Sequence, residues 1–151
     1  MPIIQSISGF LQTLQIPFTV ISNINRQENF IHKNIDPLLM AAKKEADGSL
    51  DENDIKKITG YYGLAVPAVL GEAFCVLRGE PMTGKVRLAA TCQGAMTGLG
   101  DDFFDKQRLS EQGVKDFIEN PAVFTGNSAS EKLFLHFYKT ALANVPQPVQ
   151  M

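Results

Sequence analysis

Thr97-Gly98-Leu99-Gly100-Asp101-Asp102-Phe103-Phe104-Asp105 closes a long apolar segment and gathers three carboxylates into five residues. On an α-helix, side chains at i and i+4 lie on one face, a turn apart. Asp101 and Asp105 therefore point the same way, with Asp102 beside them. Stacked carboxylates repel each other, and a hard divalent cation is their natural neutraliser. Mg²⁺ prefers oxygen ligands and is commonly held by one or two carboxylates plus substrate phosphates. The spacing makes Asp101, Asp102 and Asp105 candidate metal ligands.

The run that enters this cluster, Arg87-Leu88-Ala89-Ala90-Thr91-Cys92-Gln93-Gly94-Ala95-Met96, is mostly apolar. Thr83 can cap a helix from about residue 84 to about 106. On its 3.6-residue period Ala90, Gly94, Thr97, Gly98, Asp101 and Asp105 share one side. The residues leading to the carboxylates are therefore small. Two consequences stand side by side: room for a ligand tail along the helix, or close approach of a neighbouring helix.

Asp101-Asp102-Phe103-Phe104-Asp105, at the end of such a helix, resembles the Asp-Asp-x-x-Asp motif of the class I isoprenoid (terpenoid) synthases. These are the prenyl diphosphate synthases, terpene cyclases and their relatives. The resemblance implies an all-α helical bundle like part of the class I terpenoid synthase fold. It implies an enzyme that binds a prenyl diphosphate through Mg²⁺ and ionises it. Asp101 and Asp105 would be metal ligands, Asp102 a ligand or the partner of one, and all three the catalytic set. Arg108, Thr97, Gly98 and Gly94 would face the substrate. The double arginine that follows the motif in chain-elongating members is absent, and Lys56-Lys57-Ile58-Thr59-Gly60 stands where their Gly-Gly-Lys-Arg signature would be. These departures favour a cyclase-like or divergent prenyl-binding protein. The family's second metal motif is not found, so residues 1–151 are expected to form a single helical domain, the N-terminal portion of a larger synthase fold. The alternative is a truncated or degenerate helical protein without catalysis, acting through a partner or through self-association.

The remaining segments read as helices too. Ile3, Ile7, Phe10, Leu11 and Leu14 recur at helical spacing over residues 2–15, which Ile16-Pro17 is expected to interrupt. Residues 18–24 are apolar and β-branched, compatible with strand or helix by periodicity alone, and are assigned to helix because nothing else in the chain offers a pairing strand. Phe30, Ile31, Ile35, Leu38 and Leu39 form a second pattern, kinked or split by Pro37 and ending near Asp47-Gly48. Ser49-Leu50-Asp51-Glu52 has the form of a capping box. From Ile58 to Leu77 the only charged residue is Glu72, which suggests a buried central helix rather than a membrane span, because Gly60, Gly63, Pro67, Gly71 and Glu72 interrupt the run. Ser110 is expected to cap a short helix that Asn120-Pro121 ends, and Ser128-Ala129-Ser130-Glu131 is a second capping box. The total is six or seven helices.

Bulk properties narrow the functional classes. The chain of 151 residues is 44% hydrophobic and 20% charged, ordinary for a globular protein. A net charge of −2 and the lack of a basic stripe with interleaved aromatics give no nucleic-acid signature. The start lacks a basic segment ahead of an apolar one, so a cytoplasmic protein without a signal peptide is expected. Cys75 and Cys92 form no CxxC pair and read as reduced packing thiols, and His32 and His136 lack metal-ligand spacing. Glu72, inside an apolar run, needs a basic partner or a route to the surface. Lys85, Arg87 and Arg108 are minor candidates for phosphate contact.

Overall fold

The structure, a computed structural model, describes the backbone of residues 2–105, 111–121 and 124–145, and their side chains except at 2–15, 102, 104, 105 and 114. Among the described residues it is all-α. Six helices follow in order: α1 (Pro2–Asn34), α2 (Asp36–Lys43), α3 (Glu52–Arg78), α4 (Gly84–Asp105), α5 (Glu111–Glu119) and α6 (Ala129–Asn144).

The first helix runs on past the break that the sequence suggests at Ile16-Pro17, and the second pattern splits at Ile35, just before Pro37. Pro17 lies inside α1 rather than at its end, and it is exposed, so its ring displaces no packed neighbour. The chain turns at Ile35 instead. Pro37 stands in the first turn of α2, where a missing N–H leaves nothing unsatisfied. Ile35 is fully buried at this corner.

The N-terminus of α3 lies two residues beyond the box expected at Ser49. Asp51 is the cap: its carboxylate accepts from the Asp54 amide at 2.9 Å, and Asp54 returns the favour to the Asp51 amide at 2.8 Å. Ser49 is engaged elsewhere, its hydroxyl accepting from the Ser130 amide at the start of α6 at 3.0 Å. At the other end of α3, Gly79 takes the left-handed conformation (φ 74°) that a side chain would disfavour, and the Glu80 amide bonds back to the Cys75 carbonyl at 3.1 Å.

Two stretches of α3, Lys57–Tyr62 and Val66–Gly71, are π-helical. The Gly63 amide donates to Ile58, five residues back. Pro67 has no amide to offer the Gly63 carbonyl, which is four residues earlier and would be its α-helical partner. That carbonyl is satisfied from outside the helix, as described below.

Helix α4 is the centre of the core, packed chiefly on α6 and on α3. Its Cys92, Ala95, Leu99 and Phe103 meet Ile31, Ile35 and Leu39 of the first two helices, Ile58 of α3, and Leu133 and Phe137 of α6. Thr83 caps α4 as expected, accepting from the Val86 amide at 3.3 Å. Ser128 caps α6, accepting from the Glu131 amide at 3.3 Å, while the Glu131 carboxylate accepts from the Asn127 amide at 2.6 Å. Helix α5 joins through Phe117, whose ring lies edge-on to Phe134, Tyr138 and Phe124 at 5.1, 5.6 and 5.8 Å.

Helix α3 is not the buried central helix that its composition suggests. Ile58, Gly63, Pro67, Ala68 and Cys75 are buried, but the opposite side carries exposed Tyr61, Leu70, Phe74, Val76 and Leu77. It is long and apolar enough to cross a membrane, yet only 22% of its most apolar window is buried within the protein.

Candidate functional site

Helix α4 remains helical through Asp105, so its backbone carries Asp101 and Asp105 on successive turns of one face. Asp101 is exposed, and its Oδ2 accepts a hydrogen bond from the Tyr62 hydroxyl of α3 at 2.9 Å. The bond to Asp101 and that residue's negative charge both raise the Tyr62 phenol above its ordinary value, and Lys57 opposes them. The side chains of Asp102 and Asp105, and the whole of Arg108, lie outside the described residues. Among the described residues no three metal-ligating side chains converge.

The small residues below Asp101 have a definite use. A methyl added at Gly94 would stand 2.2 Å from the Tyr62 carbonyl oxygen. One added at Gly98 would stand 3.2 Å from the Tyr62 ring and 3.3 Å from the Lys57 Cβ. The space beside both glycines is taken by α3, so they serve helix contact and are not a lining for a substrate tail. Thr97 is exposed, and its hydroxyl donates to the Gln93 carbonyl of its own helix at 3.1 Å. Gly94, Gly98 and Asp101 together form a track on which Tyr62 lies: backbone on the first, ring on the second, hydroxyl on the third.

A second polar cluster sits deeper between α1, α3 and α4. Gln27 of α1 is fully buried and donates through Nε2 to the Gly63 carbonyl at 2.7 Å and to the Thr91 hydroxyl at 2.8 Å. The Thr91 hydroxyl donates to the Arg87 carbonyl at 2.7 Å. Arg87, 4% exposed, donates to the Gln27 Oε1 at 3.0 Å and makes an ion pair with Glu72. Arg26 also reaches Glu72, at 3.4 Å. Glu72 thus has the basic partners that its position demands. Arg87 is committed to Glu72 and Gln27, which removes it from the phosphate-contact candidates.

Cys75 and Cys92 are free, buried thiols, and burial pushes Cys92 up to about 12. A thiol so far from ionisation packs rather than attacks. His32 bonds to Asp36 on the next helix at 2.6 Å.

Sequence reasoning missed Tyr62 and Gln27. A signal existed for each. A tyrosine hydroxyl inside an apolar run needs a partner, and Pro67 in a helix leaves a carbonyl that some donor must reach. Neither signal says which residue answers. Comparison with family models, curated proteins and solved structures found no match.

Proposed function

We propose that the acidic end of α4 binds Mg²⁺ and, through it, the diphosphate of a prenyl diphosphate, in the manner of the class I isoprenoid synthases that the motif resembles. The supporting observation is the unbroken helix through Asp105, which holds Asp101 and Asp105 one turn apart at the end of the central helix. The donor chemistry fits a hard cation: carboxylate oxygens, with a phenol hydroxyl alongside. Tyr62 fixes the orientation of the Asp101 carboxylate by bonding one of its oxygens. Asp101, Asp102 and Asp105 bind the cation and hold it at the helix end, and Arg108 adds positive charge to the diphosphate. Bound Mg²⁺ supplies neutralisation of the charge that develops on a departing diphosphate.

The test is the melting temperature of the chain with Mg²⁺ and either inorganic pyrophosphate or a prenyl diphosphate, against Asp101→Ala. Ligand that binds only the folded state raises Tm. A Mg²⁺-dependent rise that Asp101→Ala abolishes is the expected result. No rise in the unmodified chain overturns the reading.

One observation favours the second reading, a helical protein acting by association. Val76 and Leu77 at the end of α3 are 77% and 81% exposed, and Phe74 is 64% exposed, in line with Leu70. Contiguous exposed apolar surface marks an interaction site. Light scattering on the chain and on Leu77→Glu tests this: a higher-order species that the substitution disperses supports association, and a monomer in both sinks it.

A further inference from the structure

The two π turns of α3 are each followed at once by a residue that the buried polar cluster holds. Gly63 follows Lys57–Tyr62, and its carbonyl takes the Gln27 amide. Glu72 follows Val66–Gly71, and its carboxylate takes the Arg87 guanidinium. Gln27 and Arg87 are bonded to each other at 3.0 Å. One unbroken run, Gly63–Gln27–Arg87–Glu72, therefore connects the ends of both π turns.

The register of α3 needs such a device. A π turn carries one extra residue, so annealing it to α-helix would rotate one side of the helix against the other by about 100°. Hydrophobicity alone chooses weakly among these phases, because Glu72 is the only charged residue between 58 and 77. Leu70, Phe74 and Leu77 stand exposed in the observed phase, so burying the largest apolar side chains is not what sets it. The small buried residues Gly63 and Ala68 favour the observed phase sterically, and the polar partners single it out further. Only one phase meets Gln27 with an unpaired carbonyl and Arg87 with a carboxylate, and in this buried site a missed partner is costly.

We infer that Gly63–Gln27–Arg87–Glu72 is a register lock that sets both π turns of α3 together and thereby fixes the phase at which Tyr62 meets Asp101. The lock acts on the apo chain and does not depend on cation binding at Asp101. Buried polar groups that specify register at some cost in stability have precedent in helix association. Here the specified register is internal to one helix. Releasing the Glu72 end frees the second π turn, and through Arg87 and Gln27 it frees the first as well.

The test is a double-mutant cycle between Glu72→Gln and Tyr62→Phe, read as the urea midpoint of the whole chain without metal. The two positions are ten residues apart on the helix, about 15 Å along the axis, where independent substitutions add. The lock predicts that the midpoint loss caused by Tyr62→Phe shrinks or vanishes in the Glu72→Gln background, because Tyr62 has already left Asp101. An equal loss in both backgrounds overturns it. Amide hydrogen exchange on Glu72→Gln gives a second reading should the double variant fail to fold. Faster exchange in both 57–63 and 66–72 supports the lock, and faster exchange confined to 66–72 overturns it.

Discussion

The Tyr62 hydroxyl donates to the Asp101 carboxylate at 2.9 Å and ties the acidic end of α4 to the neighbouring helix. A carboxylate acceptor favours the protonated phenol, so Tyr62 in the folded protein ionises above its ordinary value of 10.0. A raised folded-state value contributes stability that is fully present below the unfolded value and is lost as pH rises through the folded one. Tyr62→Phe should therefore lower Tm near neutrality. The gap between variant and wild type should close as pH climbs past about 10. Melts across the alkaline range check this, and two parallel curves would count against the bond.

Glycines on one helix should respond in opposite directions to the same substitution. Gly94→Ala drives a methyl to 2.2 Å from the Tyr62 carbonyl, a backbone atom that cannot rotate away. Overpacking of this kind costs about 1–3 kcal/mol. Among the described residues, Gly100→Ala meets only the Phe134 ring edge at an ordinary 3.7 Å. It gains helix propensity of about 0.5–1 kcal/mol near the C-terminal end of α4. Urea unfolding of the two variants should show losses for the first and gains for the second. Equal effects would mean that α3 does not lie on Gly94 as described.

The same glycines mark the limit of what the chain discloses before folding. Helix α4, its Thr83 cap, the Ser128 cap and the all-α class follow from local pattern, because each depends on residues within one or two turns. The stripe of Gly94 and Gly98 is equally compatible with a ligand or a helix. What decides is Tyr62, whose distance in sequence from Gly94 hides the contact. Ser49 loses its expected capping role to Asp51 for a similar reason: its hydroxyl meets the Ser130 amide, 81 residues away. The Gly63 carbonyl that Pro67 leaves without a helical partner is met by Gln27 from another helix. No window of local sequence contains both. For the candidate site, the carboxylate spacing was legible and the Tyr62 partner was not.

Acid should weaken the contact where the α2–α3 connection meets α6. The Asp47 carboxylate is bonded by the Ser49 hydroxyl, by the Ala129 amide at 2.7 Å and by the Ser49 amide at 2.9 Å, which together lower it from 3.8 to about 2. A depressed value contributes stability that is present above the unfolded value and is lost as pH falls through the folded one. Asp47→Asn should be less stable than wild type near neutrality. It should lose less on acidification between about pH 4 and pH 2. Chemical denaturation at several points in that window measures the difference, and an identical acid limb in both proteins would refute the assignment.

The buried pair of Arg87 and Glu72 should break asymmetrically. Removing one member of a buried ion pair leaves an uncompensated charge and costs about 3–5 kcal/mol. Arg87→Met leaves Glu72 with Arg26 at 3.4 Å, and the Glu72 side chain retains 14% exposure, so the cost should fall at the low end of that range. Glu72→Leu leaves the Arg87 guanidinium, whose side chain is 5% exposed, with the neutral Gln27 oxygen as its described acceptor, and the cost should be larger. Replacing both by apolar residues removes both charges from the interior, so Arg87→Met with Glu72→Leu should be more stable than Glu72→Leu alone. Equilibrium unfolding of the three variants orders them. A double variant that is simply the sum of the singles would show that the two side chains do not interact, and the ion pair at the heart of α3 and α4 would have to be abandoned.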